Sequence, residues 1–171
     1  MATSCLSNYT LQGVAYDCNS NLAGIRNIWL SYYDDATATI NESAHTANVT
    51  LASGVEWYKY SFARNTSSLN STLTKDDSNG TRYYTNTLTL VFNKLDAQKH
   101  LEAMALSAEK LVALVEDNNG KVWFLGADSY VSGTAEEIGT GASADDRNGY
   151  SITIEGTSAF LPFEFSGTLP E

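Results

Sequence analysis

Positive charge is scarce in this chain. Ten Lys and Arg stand against twenty Asp and Glu, for a formal net charge of −10. The basic residues form neither a stripe nor a cluster able to neutralise phosphates, so stable binding to nucleic acid or to an anionic membrane is not expected. Long apolar runs are missing too, and none approaches the roughly 20 residues that cross a bilayer as a helix. The opening MATSCLSNYTLQ has neither the basic nor the apolar region of a secretory leader. Synthesis and retention in a cytosol are the expectation.

Cysteine and histidine are equally few. Cys5 and Cys18 have the spacing of neither a zinc knuckle nor a redox motif, and free thiols are expected over a disulfide. His45 and His100 have no ligand or triad partners in sequence and read as ordinary loop and helix residues. A nucleotide-binding glycine loop, a nucleophile elbow and a cysteine–histidine pair are all absent. Adjacent acids, such as Asp34 with Asp35, are solvated loop charge, whereas a glycosidase sets two carboxylates on opposite sides of a sugar. Asp76, Asp77 and Asn79 before Gly80 hold part of a calcium-loop pattern without its distal Glu. No enzyme activity, metal or cofactor is expected. Asn-X-Ser/Thr triplets start at Asn8, Asn41, Asn48, Asn65, Asn70 and Asn79, as chance gives in a chain so rich in these residues.

Strand-forming sequence is what the chain has in quantity. Its 171 residues, 43% of them hydrophobic, suffice for a single domain, residues 1–171, around one core. Residues 1–24 read as an N-terminal arm. Residues 26–33, RNIWLSYY, form the first strand, and short strands are expected at 37–40 and 48–51. Residues 56–62, EWYKYSF, carry aromatics on both faces. A long hairpin follows, turning at Asn79-Gly80, the dipeptide that suits a type I′ turn, and returning over 81–92. Residues 64–82 are too polar to have a core beneath them and read as a protruding arm.

One helix is expected over 96–109, capped by Asp96. Ala97, Leu101, Met104, Ala105 and Ala108 fall on one stripe, taken as the face that packs on the body. Residues 111–115, LVALV, are apolar without alternation, which marks a strand covered on both faces, with a hairpin turn at 117–120. The helix is expected to lie over this sheet. Residues 127–148 shift to small and acidic residues and read as a long loop. Residues 150–155 alternate cleanly and 159–165, AFLPFEF, give a last strand. The fold class is mainly β (α+β): a β-sandwich or barrel with one flanking helix and a long protruding hairpin. Trp29, Tyr32, Tyr33, Trp57, Tyr58, Tyr60, Tyr83, Tyr84 and Trp123 could line a sugar-binding face, but they are spread over several strands in both registers, which favours core and subunit contacts.

The order of YDCNSNLAGIRNIWLSYYDD, the arm NTSSLNSTLTKDDSNGTRYYTNTLTLVF, the helix, the hairpin KLVALVEDNNGKVWFLG and ADDRNGYSITIEG resembles small virion proteins of tailed phages and prophages of Bacteroidetes, including crAss-like phages. It also resembles the tail-tube fold, over residues 17–165. The resemblance implies a homo-oligomeric ring through which DNA passes without specific binding, in a virion assembled in the host bacterial cytoplasm. Other tail or portal proteins would be its partners, and no membrane. The arm residues Asn65, Ser68, Asn70, Thr72, Asn79, Gly80 and Arg82 would serve self-association, and Glu136, Glu137, Asp145 and Asp146 are candidate lumen acids. Because crAss-like phages have short tails, a connector ring or tail barrel stands beside a tail tube. The alternative is a β-sandwich binding module for carbohydrate or a receptor, on a virion or cell surface.

Overall fold

A computed structural model describes residues 11–170, apart from the side chains of Ala135 and Glu136. Cys5 and the triplet at Asn8 lie outside the described residues. Along the chain run β1 (Ile25–Tyr32), β2 (Ala36–Asn41), β3 (Thr46–Leu51), β4 (Tyr58–Tyr60), β5 (Ser68–Asp76), β6 (Thr81–Asn93), α1 (Ala97–Ala108), β7 (Leu111–Asp117), β8 (Val122–Leu125), β9 (Ser132–Gly139), β10 (Gly149–Ser158) and β11 (Phe163–Phe165). They build two sheets, one of seven strands in the order β2-β3-β11-β8-β7-β1-β4 and one of four in the order β5-β6-β10-β9. The fold is mainly β, a sandwich with one helix. The larger sheet does not close, since its end strands β2 and β4 are not paired to each other; the barrel form of the expectation gives way to the sandwich.

The core between the sheets follows from side-chain parity. Leu88 and Leu90 of β6 and Ile152 and Ile154 of β10 are opposite one another in register. They meet Ile28 and Leu30 of β1 and Leu111, Ala113 and Val115 of β7. The alternate residues of β7, Val112 and Leu114, join a second cluster with Trp29, Phe124 and Phe163 on the far face of the large sheet. That two-sided cover is what the unbroken LVALV run predicts. Residues of β2 and β3 in the same large sheet, among them Ala38, Ala47 and Val49, complete this far cluster.

The helix ends where its sequence says. Asp96 accepts a hydrogen bond from Gln98 N at 2.9 Å, and the Glu109 N–H closes on Ala105 O at 3.0 Å. Its facing is the reverse of the expected one. Ala103 and Leu106 are buried, while Leu101 and Met104 are 63% and 68% exposed. Lys99 and Glu102, which lie off the expected stripe, are half-buried. Specific partners satisfy both: the Lys99 ammonium donates to Asn93 O at 2.7 Å and to Lys94 O at 3.3 Å, and Glu102 Oε1 accepts from the Tyr60 hydroxyl at 2.5 Å. The helix is also seated differently, with its closest approach made to β9 of the small sheet, where Gly133 lets the Leu106 carbonyl come near.

β9 itself falls within the stretch 127–148 read as a loop. Gly, Ala and Glu are depleted in strands, and pairing with β10 from Gly149↔Gly139 to Glu155↔Ser132 supplies what propensity does not. At the hairpin tip the type I′ turn is not formed. Four residues, 77–80, connect the Asp76↔Thr81 pair, and of these Gly80 alone has a positive φ, 66°. Asp76 reshapes the loop by accepting from Ser78 N at 2.9 Å and Ser78 Oγ at 2.6 Å. The last strand is shorter than 159–165, because Pro162 has no amide hydrogen to give to a ladder. Only Phe163–Phe165 pairs, parallel to β3 and antiparallel to β8.

Candidate functional site

The residues assigned to self-association lie along one hairpin. Ser68, Asn70 and Thr72 share the face of β5 that points away from the core, opposite Thr89, Thr87 and Thr85 of β6. All three are exposed, as are Asn65, Asn79, Gly80 and Arg82. Asn65 has φ 62°, a left-handed bend just before β5. Arg82 donates to the Tyr84 hydroxyl at 3.0 Å and covers its ring at 5.9 Å. β5 is one of the two edge strands of the small sheet. The hairpin outruns its neighbour β10 only beyond the Ser158↔Tyr84 pair, so its last three rungs stand alone.

The candidate lumen acids separate into different roles. Glu137 is exposed on the edge strand β9, and Asp145 is exposed in the loop that follows; the Glu136 side chain is outside the described residues. Asp146 folds its own loop, its Oδ2 accepting from Ala142 N and Ser143 N at 2.8 Å each. Those two bonds, Ser143 first, hold the Asp146 carboxyl below its usual range, as Ser78 does for Asp76. The sign is the usual one for a carboxylate. A folded pKa below the unfolded value gives stability that is present above the unfolded pKa, about 3.9, and is lost as pH falls through the folded pKa. Acidification below the normal carboxylate range is therefore expected to lower the protection of the Ala142 and Ser143 amides relative to their intrinsic exchange rate at the same pH. Asp146→Ala is expected to abolish that acid step.

Among the described residues, the most exposed large apolar side chains fall in two groups. Residues 11–20 have no helix or strand, and Leu11, Val14 and Tyr16 are 107%, 97% and 91% exposed. The segment is tied to the body where the Asn119 amide donates to Asn21 Oδ1 and Leu22 O, and where Asn118 Nδ2 donates to Ala23 O at 2.6 Å. Cys18, free and exposed, sits in this segment. The second group is on the outward face of α1, Leu101 and Met104.

A cavity of about 170 Å³ opens between α1 and the β1–β4 edge. Its walls are Tyr32, Tyr58 and Tyr60, and its rim carries Glu102 and Glu109. The Ile28↔Tyr60 and Leu30↔Tyr58 pairs put Tyr58 and Tyr60 on the same face as Leu30 and Tyr32. The Tyr32 and Tyr58 rings meet edge to face at 6.2 Å. Burial, with the Glu102 carboxylate beside it, raises the Tyr60 hydroxyl well above its ordinary range. These residues were visible in sequence as scattered aromatics. The period-two spacing of Tyr58 and Tyr60 signals a shared face, but nothing local shows that the helix closes over it.

No family model and no curated protein sequence matches this chain. Function is therefore argued from the surfaces themselves. Trp29, one of the aromatics weighed as a sugar platform, is 2% exposed and belongs to the core. His100 touches the Tyr150 hydroxyl through Nδ1 at 2.5 Å, and His45 stacks on Phe163 at 4.4 Å. His100 is exposed and His45 half-buried. Among the described residues no group of three or more His, Cys, Asp or Glu converges as a metal site, and no helix is long and apolar enough to cross a membrane.

Proposed function

We propose that this chain is a structural subunit of a tailed-phage virion, assembling with copies of itself into a ring of the tail tube or of the head-to-tail connector. The observation that carries this reading is the segment 11–20, whose Leu11, Val14 and Tyr16 are almost fully exposed, with no cover from the other described residues. Apolar side chains left in water at this density favour a partner that buries them. The ends of the sheets supply places for one: β2, β4, β5 and β9 are all edge strands, and unpaired edges pair readily with another chain. The polar hairpin suits the same role, since its last rungs have no third strand. The net charge of −10 is consistent with a conduit whose wall repels phosphates.

Light scattering across a concentration series, with negative-stain microscopy of the same samples, tests the reading. The intact chain is expected to form rings or tubes, and a chain lacking residues 11–20 to remain monomeric with an unchanged circular dichroism spectrum. A monomer at every concentration that is retained on a glycan array would support the binding-module alternative instead.

A further inference from the structure

The cavity between α1 and the β1–β4 edge has a composition that assembly does not require. Its floor is apolar, formed by Leu30, Leu106 and Leu111, each at most 4% exposed. Three tyrosine rings stand around it and two carboxylates flank it, while no Lys or Arg lines it. The nearest lysines in sequence are engaged elsewhere: the Lys59 ammonium lies 5.3 Å from the Trp29 ring centre, and that of Lys110 lies 5.5 Å from the Tyr130 ring centre.

Each alternative ligand class meets an obstacle. An anion is repelled by Glu102 and Glu109. A bare metal ion needs converging oxygens, and these two glutamates are seven residues apart, Glu102 inside α1 and Glu109 at its C-cap, about 10 Å along the helix axis. A neutral apolar group would desolvate both carboxylates without compensation. A cation wrapped in methylene or methyl groups satisfies floor, rings and rim together, because the π faces and the carboxylates attract its charge while its carbon atoms cover the leucines. The volume is below the range of pockets for drug-sized ligands, which restricts the occupant to something the size of one side-chain head. Tyr32 and Tyr58, 37% and 47% exposed, leave the mouth accessible.

We infer that this cavity is a binding site for an alkylammonium group, the chemistry shared by a lysine side chain and by small quaternary amines such as choline. The test is independent of oligomeric state. Tyrosine ring signals of the full chain are followed by NMR during titration with choline, with Nα-acetyl-lysine methylamide, and with 3,3-dimethylbutanol, the neutral isostere of choline. Saturable shifts confined to Tyr32, Tyr58 and Tyr60 are expected with at least one of the two cations, and none with the alcohol. Binding of the lysine mimic alone identifies a protein-borne lysine as the source, and binding of choline alone identifies a free amine. Tyr58→Leu and Glu109→Gln, both at exposed positions, are each expected to weaken binding about fivefold. Equal shifts with the alcohol, or no shift with either cation, would overturn the assignment.

Discussion

Replacing Tyr150 by alanine is expected to cost about 3–5 kcal/mol of stability, the range for removing a large buried aromatic, and replacing it by phenylalanine about 1–2 kcal/mol. Tyr150 is fully buried, and it joins the small sheet to the start of the helix. Its hydroxyl lies 3.1 Å from Asp96 O, 3.3 Å from Asp96 N and 2.5 Å from His100 Nδ1. The ring fills the core beside Ile152 and Leu90. The two substitutions therefore separate packing from polar anchoring. Urea denaturation gives the totals. Amide exchange along Ala97–Ala108 gives the part that is local to α1. In the phenylalanine variant the first turn of α1 is expected to lose protection while the strands of the core keep theirs. Equal loss across the whole chain would show that the hydroxyl is not an anchor for the helix.

The second large effect concerns the contact that seats α1. A Cβ placed on Gly133 would stand 2.6 Å from the Leu106 carbonyl oxygen and 3.0 Å from its carbon. These are backbone atoms held in a helix, so the clash cannot be relieved by turning a side chain. Gly133→Val is expected to push α1 off β9 and destabilise the fold by about 3 kcal/mol, at the upper end of ordinary overpacking. Gly139 supplies the control within the same strand, because a Cβ there meets nothing within 4 Å. Gly139→Ala is expected to stay within about 0.5 kcal/mol of the parent. Comparing the two in urea separates the close approach of helix and strand from the general effect of removing glycine from β9.

Much of this architecture was legible because local and tertiary preferences agree. The run LVALV could only be a strand covered on both sides, and β7 is one. Tyr150, Ile152 and Ile154 alternate and do face the core. Asp96 is a good cap and starts the helix. The failures occur where one specific contact outweighs an average preference. Lys99 and Glu102 lie off the expected stripe, and two backbone carbonyls and a tyrosine hydroxyl hold them half-buried. The small residues of β9 looked like a loop, and the neighbouring strand together with a helix that needs a glycine beneath it make them a strand. Asn79-Gly80 looked like a two-residue turn, and the side chain of Asp76 draws Ser78 and Asn79 into a wider one. The tyrosine cavity is of the same kind, since it depends on how β4 registers with β1.

The position of β11 sets an order of events during synthesis. This three-residue strand lies between β3 and β8, and the Ser166 N–H reaches back to Ala47 O, 119 positions earlier in the chain. Without it the β2–β3 hairpin has no strand linking it to the rest of its sheet. Closing so long a loop is slow compared with forming local hairpins. On the ribosome, residues 36–51 must therefore wait with an open edge until residue 166 has emerged. A nascent chain stalled before that point would present its outer hairpin to neighbouring nascent chains.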